Sequence, residues 1–181
     1  MKTYISMLRG INVSGQKKIR MADLNDLYKS MNFANIKTYV QSGNVVFGSG
    51  ENDSEKLAQE IETEIAKNYG YPVSVFIRTA EDFNRILQNN PFLNERKAEP
   101  AKLHVTFLNR IPSDLEISNF KPPVNSGDDE FSFGEQEIYV YCPNGYGRTK
   151  LNNNFFERKL NIPATTRNWK TVNTLFEMGL E

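Results

Sequence analysis

Asn35-Ile36-Lys37-Thr38-Tyr39-Val40-Gln41-Ser42-Gly43-Asn44-Val45-Val46-Phe47 sits at the centre of the chain's first half. Two β-prone runs, Asn35–Val40 and Asn44–Phe47, flank Ser42-Gly43, which predicts a pair of strands joined by a tight turn. On the upstream side, Met21–Met31 carries Leu24, Leu27, Tyr28 and Met31 at helical spacing, and Thr3–Leu8 is a short apolar run that reads as a buried strand. On the downstream side, Asn52 with Glu55 resembles a capping box, Leu57, Ile61 and Ile65 line one helix face, and Gly70 ends the helix. Val73–Thr79, rich in β-branched residues, completes a β-α-β-β-α-β order. That order predicts an α+β protein whose first subdomain, residues 1–79, is ferredoxin-like.

Residues 80–181 read as a related but degenerate unit. Thr79 caps a short helix holding Phe83, Ile86 and Leu87, and Lys102–Asn109 forms a strand. Pro112, Pro122 and Pro123 bracket an irregular acidic segment. Glu130–Phe133 and Glu137–Cys142 make a hairpin, and two helices, about Lys150–Leu160 and Arg167–Met178, finish the chain. The expected order is β-α-β-β-α-α, with the last strand of the first unit replaced by a helix.

The chain has 181 residues, of which 39% are hydrophobic and 24% charged, with 22 basic and 22 acidic side chains. A length of this kind supports its own core without metal or disulfide. Zero net charge argues against a whole-protein basic field for nucleic acid. The charge is nevertheless segregated: Gly145–Lys170 holds six basic residues against Glu157, and Ser113–Glu137 holds seven acids against Lys121. One cysteine, Cys142, excludes an intrachain disulfide. No apolar run has the ~18–20 residues a membrane span needs, and the expected address is the cytoplasm.

Three cation-bearing loops stand out, two of them rich in glycine. Arg9-Gly10-Ile11-Asn12-Val13-Ser14-Gly15-Gln16 follows a strand and precedes a helix, the setting in which backbone N–H groups hold anions. Its Gly10-to-Gly15 spacing mimics a P-loop, but Gln16 stands where the phosphate-binding lysine belongs. Asn144-Gly145-Tyr146-Gly147-Arg148-Thr149-Lys150 is again strand, glycine turn, helix, with Arg148 and Lys150 supplying charge and Thr149 a cap. In Thr165-Thr166-Arg167-Asn168-Trp169, Arg167 falls in the expected first turn of the last helix, against the dipole. Gln41 and Ser42 beside Asn44 remain as polar residues that turn chemistry alone does not explain. The lone His104 and Cys142 do not by themselves make a nucleophile–base pair, and no metal-ligand set is present.

Leu8-Arg9-Gly10-Ile11-Asn12-Val13, Gln41-Ser42-Gly43-Asn44-Val45-Val46-Phe47, Gly145-Tyr146-Gly147-Arg148-Thr149-Lys150-Leu151 and Thr165-Thr166-Arg167-Asn168-Trp169-Lys170-Thr171-Val172 together resemble the bacterial domain-of-unknown-function family numbered 1697. Ser14 departs from a family glycine and Thr166 from a frequent alanine. The resemblance implies two related α+β subdomains and names no activity, substrate or cofactor. It coincides with the loops reached from the residues. Arg9, Asn12, Gln41, Ser42, Asn44, Arg148, Lys150, Arg167 and Asn168 are therefore the candidate site. The leading expectation is a small phosphate- or carboxylate-bearing ligand, nucleotide-like ones included. The alternatives are nucleic acid bound along a basic surface, or a protein-interaction or oligomeric module without catalysis. No residue announces itself as catalytic acid, base or nucleophile.

Overall fold

Residues 1–181 are all described by the computed structural model. Strand β1 (Lys2–Leu8) alternates, so Tyr4, Ser6 and Leu8 share one face and Ile5 and Met7 the other. Helix α1 (Met21–Ser30) follows, then β2 (Ala34–Tyr39) and β3 (Asn44–Ser49). Helix α2 (Ser54–Tyr69) and strand β4 (Val75–Thr79) complete the run. β1 pairs antiparallel with both β3 and β4, and β2 adds outside β3, giving the order β2-β3-β1-β4. Leu24, Leu27 and Tyr28 of α1 and Leu57, Ile61 and Ile65 of α2 bury the Tyr4–Leu8 face together with Val45, Phe47, Val75 and Ile77. The one polar pair inside this core is satisfied, because Ser6 Oγ and Tyr28 Oη share a hydrogen bond of 2.8 Å.

The caps explain where these helices begin and end. Asp53, not the expected Asn52, caps α2: its Oδ1 accepts from the backbone N–H of Glu55 and Lys56 at 2.9 and 3.1 Å. A carboxylate there answers both the orphan amides and the helix dipole. Gly70 ends the helix at φ +77°, as its sequence position predicts.

Helix α3 (Ala80–Gln88) is opened by Thr79, whose Oγ1 accepts from Asp82 N at 3.1 Å. Helix α4 (Pro91–Arg96) and strand β5 (Leu103–Leu108) follow. The acidic segment expected to be irregular contains a short helix α5 (Asp114–Ser118), fixed by a reciprocal capping box between Ser113 and Glu116. Then come β6 (Glu130–Phe133), β7 (Glu137–Tyr141), helix α6 (Asn153–Leu160), β8 (Ala164–Asn168) and helix α7 (Trp169–Leu180). The second sheet has the order β6-β7-β5-β8, all antiparallel. One face packs Leu108, Ile138, Val140 and Cys142 against Phe155, Phe156 and Leu160 of α6. On the other, Tyr139 Oη donates to the Ile86 carbonyl of α3 at 3.0 Å, and Tyr141 stacks on Phe92 of α4.

The second half was expected to lack its fourth strand, and the structure overturns that expectation. Ala164–Asn168 is a strand paired with β5, from Ala164 opposite Leu108 to Asn168 opposite His104. Thr165 and Thr166 are β-branched, and the alternating ladder supplies backbone partners that a helix start would not. The final helix therefore begins at Trp169 rather than Arg167, and α6 begins at Asn153 rather than Lys150, with Asn152 as its cap.

Contacts divide the chain into two units, Met1–Asn84 with Thr174–Glu181, and Arg85–Asn173. The division expected after residue 79 falls just before α3. The chain leaves the first unit within α3 and returns to it within α7. No helix is long and apolar enough to cross a membrane.

Candidate functional site

In the first unit the glycine loop and the hairpin turn meet at one end of the sheet. Leu8 N donates to the Gly43 carbonyl at 2.9 Å. Gly43 is at φ +78°, and a Cβ there would stand 2.7 Å from Ile11 Cδ1 and 2.8 Å from Leu8 Cβ, so both backbone and packing demand glycine. Asn12, at φ +56°, ties the two loops together. Its Nδ2 donates to the carbonyls of Ile19 and Gln41 at 2.9 and 2.7 Å, and its Oδ1 accepts from Ile19 N at 2.9 Å. Asn44 is buried, and its Nδ2 donates to the Tyr39 carbonyl and Ser42 Oγ at 3.0 and 3.1 Å. Lys17 Nζ donates to the Pro72 carbonyl at 2.7 Å, and Arg20 pairs with Asp23. Arg9, Asn12, Gln41, Ser42 and Asn44 are thus neighbours in one loop cluster. The amides of Asn12 and Asn44 are spent on holding the loops.

In the second unit the turn after β7 is built differently. Residues Tyr146–Arg148 form one 3-10 turn, with Gly145 before it at φ +94°. The Tyr146 ring stacks on the His104 imidazole of β5, with centroids 4.3 Å apart and planes at 24°. Tyr146 Oη accepts from Asn153 N at 2.9 Å, which anchors the turn to the start of α6. Behind it runs a polar chain in which Thr106 Oγ1 and Thr166 Oγ1 share a 2.8 Å bond and Thr166 Oγ1 donates to Asn153 Oδ1 at 2.9 Å. Arg148 is exposed, and its guanidinium makes no hydrogen bond or ion pair. Gly147 has an ordinary φ, and a Cβ there would meet nothing within 4 Å. Neither backbone conformation nor internal packing explains that glycine.

The remaining candidates are accounted for by the fold. Lys150 Nζ donates to the Val124 carbonyl at 3.1 Å. Thr149, expected to cap a helix, instead accepts from Leu151 N at 2.9 Å in a local turn. Asn168 caps α7 by accepting from Thr171 N at 2.8 Å. Arg167 lies in β8 and not in a helix, so it does not oppose a dipole. It is buried on the sheet face opposite Thr166, with Nη1 donating to Thr165 Oγ1 and the Thr166 carbonyl at 2.9 and 3.0 Å. Burial pushes its guanidinium down to about 10, still fully charged at neutral pH. The Tyr146 turn packs on the α6 side of that sheet, so within the second unit Arg148 and Arg167 belong to different faces.

The acidic run is answered by arginines: Arg110 pairs with Glu116, Arg96 with Glu130, and Arg85 with Glu135 and Glu137. Burial pushes the Cys142 thiol up to about 11 and the His104 imidazole below its ordinary value. Cys142 is therefore held as a neutral thiol, not a ready nucleophile. No three His, Cys, Asp or Glu side chains stand together as metal ligands. Two features escaped the sequence reading. The His104–Tyr146 stack joins residues 42 positions apart and left no local signal. Arg78 is buried in β4, inside a run that otherwise reads as an apolar strand.

A family model described as a protein of unknown function (DUF1697) matches residues 1–139, ending before the Gly145–Arg148 turn. No curated protein matches with significance. Among solved structures, the conserved bacterial protein SP0830 from Streptococcus pneumoniae is similar over 100% of this chain and 99% of its own, with a TM-score of 0.76 and 25% identity.

Proposed function

This chain belongs to the DUF1697 family of proteins of unknown function, and we propose that it binds a small anion at the Gly145-Tyr146-Gly147-Arg148 turn. One observation carries the reading. Arg148 is an exposed guanidinium without a protein partner, beside a glycine that has open space and an ordinary φ. An alanine at such a site would be favoured by about 0.4–1 kcal/mol through the unfolded state. A glycine that gives up that stability leaves the backbone approachable, and an arginine next to it can grip a phosphate or carboxylate with two hydrogen bonds. The Tyr146 ring, anchored by Asn153, fixes the turn at no further ordering cost.

The wider set read from the sequence contracts accordingly. Asn12, Lys150 and Asn168 hold backbone, and Arg148 is the residue on which binding turns. Arg9 and Ser42 remain candidates of the first unit's loop cluster. Both units run β-α-β-β-α-β with the first strand between the third and fourth, which supports reading each as ferredoxin-like.

A thermal-shift panel at low salt tests the function. It holds inorganic phosphate, nucleotides, sugar phosphates and a short single-stranded RNA, with Arg148→Ala alongside. A small anion at ~100 times its dissociation constant raises the melting temperature by roughly 5–10 °C, and Arg148→Ala abolishes the rise. No rise with any small anion rejects the reading. A response to RNA alone, falling by about 0.7 log units per log salt for each phosphate contacted, replaces it with nucleic-acid binding.

A further inference from the structure

We propose that His104 is a pH-dependent positioning residue of this anion site: once protonated, its imidazole backs the Tyr146 ring with a second positive charge, and anion binding at the Gly145–Arg148 turn tightens as pH falls. The inference rests on the anion reading above. Its geometric basis is the stack itself. The His104 ring lies 4.3 Å from the Tyr146 ring, and Arg148 ends the same 3-10 turn. Nδ1 of His104 is buried and makes no hydrogen bond in the structure, and the Lys102 backbone favours the protonated ring without outweighing burial.

The groups around the imidazole do not supply a counter-charge. Tyr146 faces it from the turn, and burial, the largest influence on its phenol, pushes that group up and keeps it neutral. Asn168 stands opposite it on β8 and carries no charge. Cys142, at the end of β7, is a neutral thiol. Just before its strand, the Lys102 backbone partly offsets burial. Asp129 is the carboxylate acting on this corner, and it acts on Cys142 rather than on His104. Arg148 adds a like charge. An imidazolium here lacks an anion, and a bound anion provides one. By linkage, whatever the anion does to the imidazole, the proton does to the anion.

The chain's one histidine makes the test direct, because a single Cε1–H resonance reports it. The imidazole is titrated by NMR in sulfate and in chloride at matched ionic strength, since sulfate does not titrate between about pH 5 and 8. The expected result is a midpoint raised by roughly half a unit in sulfate, equivalent to about threefold tighter binding of the protonated form. Arg148→Ala removes that shift, and His104→Gln makes the sulfate-induced rise in melting temperature independent of pH. A midpoint unmoved by sulfate, while Arg148-dependent stabilisation persists, overturns the role of His104 and leaves the anion site standing. Absence of Arg148-dependent stabilisation at every pH overturns both.

Discussion

Gly43 and Gly147 show how one residue type serves opposite ends. Gly43→Ala would force a Cβ to within 2.7 Å of Ile11 and 2.8 Å of Leu8 at φ +78°. Overpacking and left-handed strain together should cost about 2–4 kcal/mol, read as a lower midpoint in urea unfolding. Gly147→Ala meets no neighbour and needs no unusual φ. It should leave folding unchanged or improve it by up to ~1 kcal/mol, while weakening the response to phosphate. A Gly147→Ala protein that is both more stable and fully responsive would remove the glycine from the argument. Both glycines were visible in the sequence as motif letters. Their difference was not, because it depends on which side chains of distant segments face each Cα.

At the scale of elements, β8 and the start of α7 are the instructive pair. Thr165-Thr166-Arg167-Asn168-Trp169 reads locally as a helix start at Arg167, and the helix begins two residues later, with Asn168 as its cap. Asn168→Ala should cost about 1 kcal/mol through loss of the bond to Thr171 N, and Asn168→Ser should recover most of it. A cap that is only structural leaves the anion response of both variants intact. The strand before it was illegible because its partner is β5, about sixty residues earlier in the chain, and pairing at that range leaves no periodic trace in five residues. The first unit was easier to read. Its helices carry clean apolar spacing, and its hairpin turn is declared by Ser42-Gly43. The loop cluster was likewise found from its glycines and asparagines. That Asn12 works as a strut could not be read, since its acceptors are carbonyls.

For the whole molecule, pH is the accessible variable. The His104 imidazole is depressed in the folded state, chiefly by burial, so the unfolded chain takes up the proton first as pH falls. Its contribution to stability is complete above about pH 6.5 and is lost progressively below that, down to the folded value. Glu51 and Glu116 are each held down to about 2, chiefly by side-chain hydrogen bonds from Lys56 and Arg110, so their contributions are lost lower still, from about pH 4.5 towards 2. A plot of melting temperature against pH should therefore fall in two stages, and His104→Gln should flatten the upper one alone. An unchanged upper stage in that variant would assign it to other groups. The route of the chain has a separate bearing on biogenesis. The first unit is closed by residues 174–181, where Gly179 lies in van der Waals range of Ile5 and Lys37 Nζ pairs with Glu181 at 2.8 Å. On a ribosome, β1 emerges well before the helix end that covers it. The nascent chain must therefore keep an apolar sheet face waiting through the synthesis of the entire second unit.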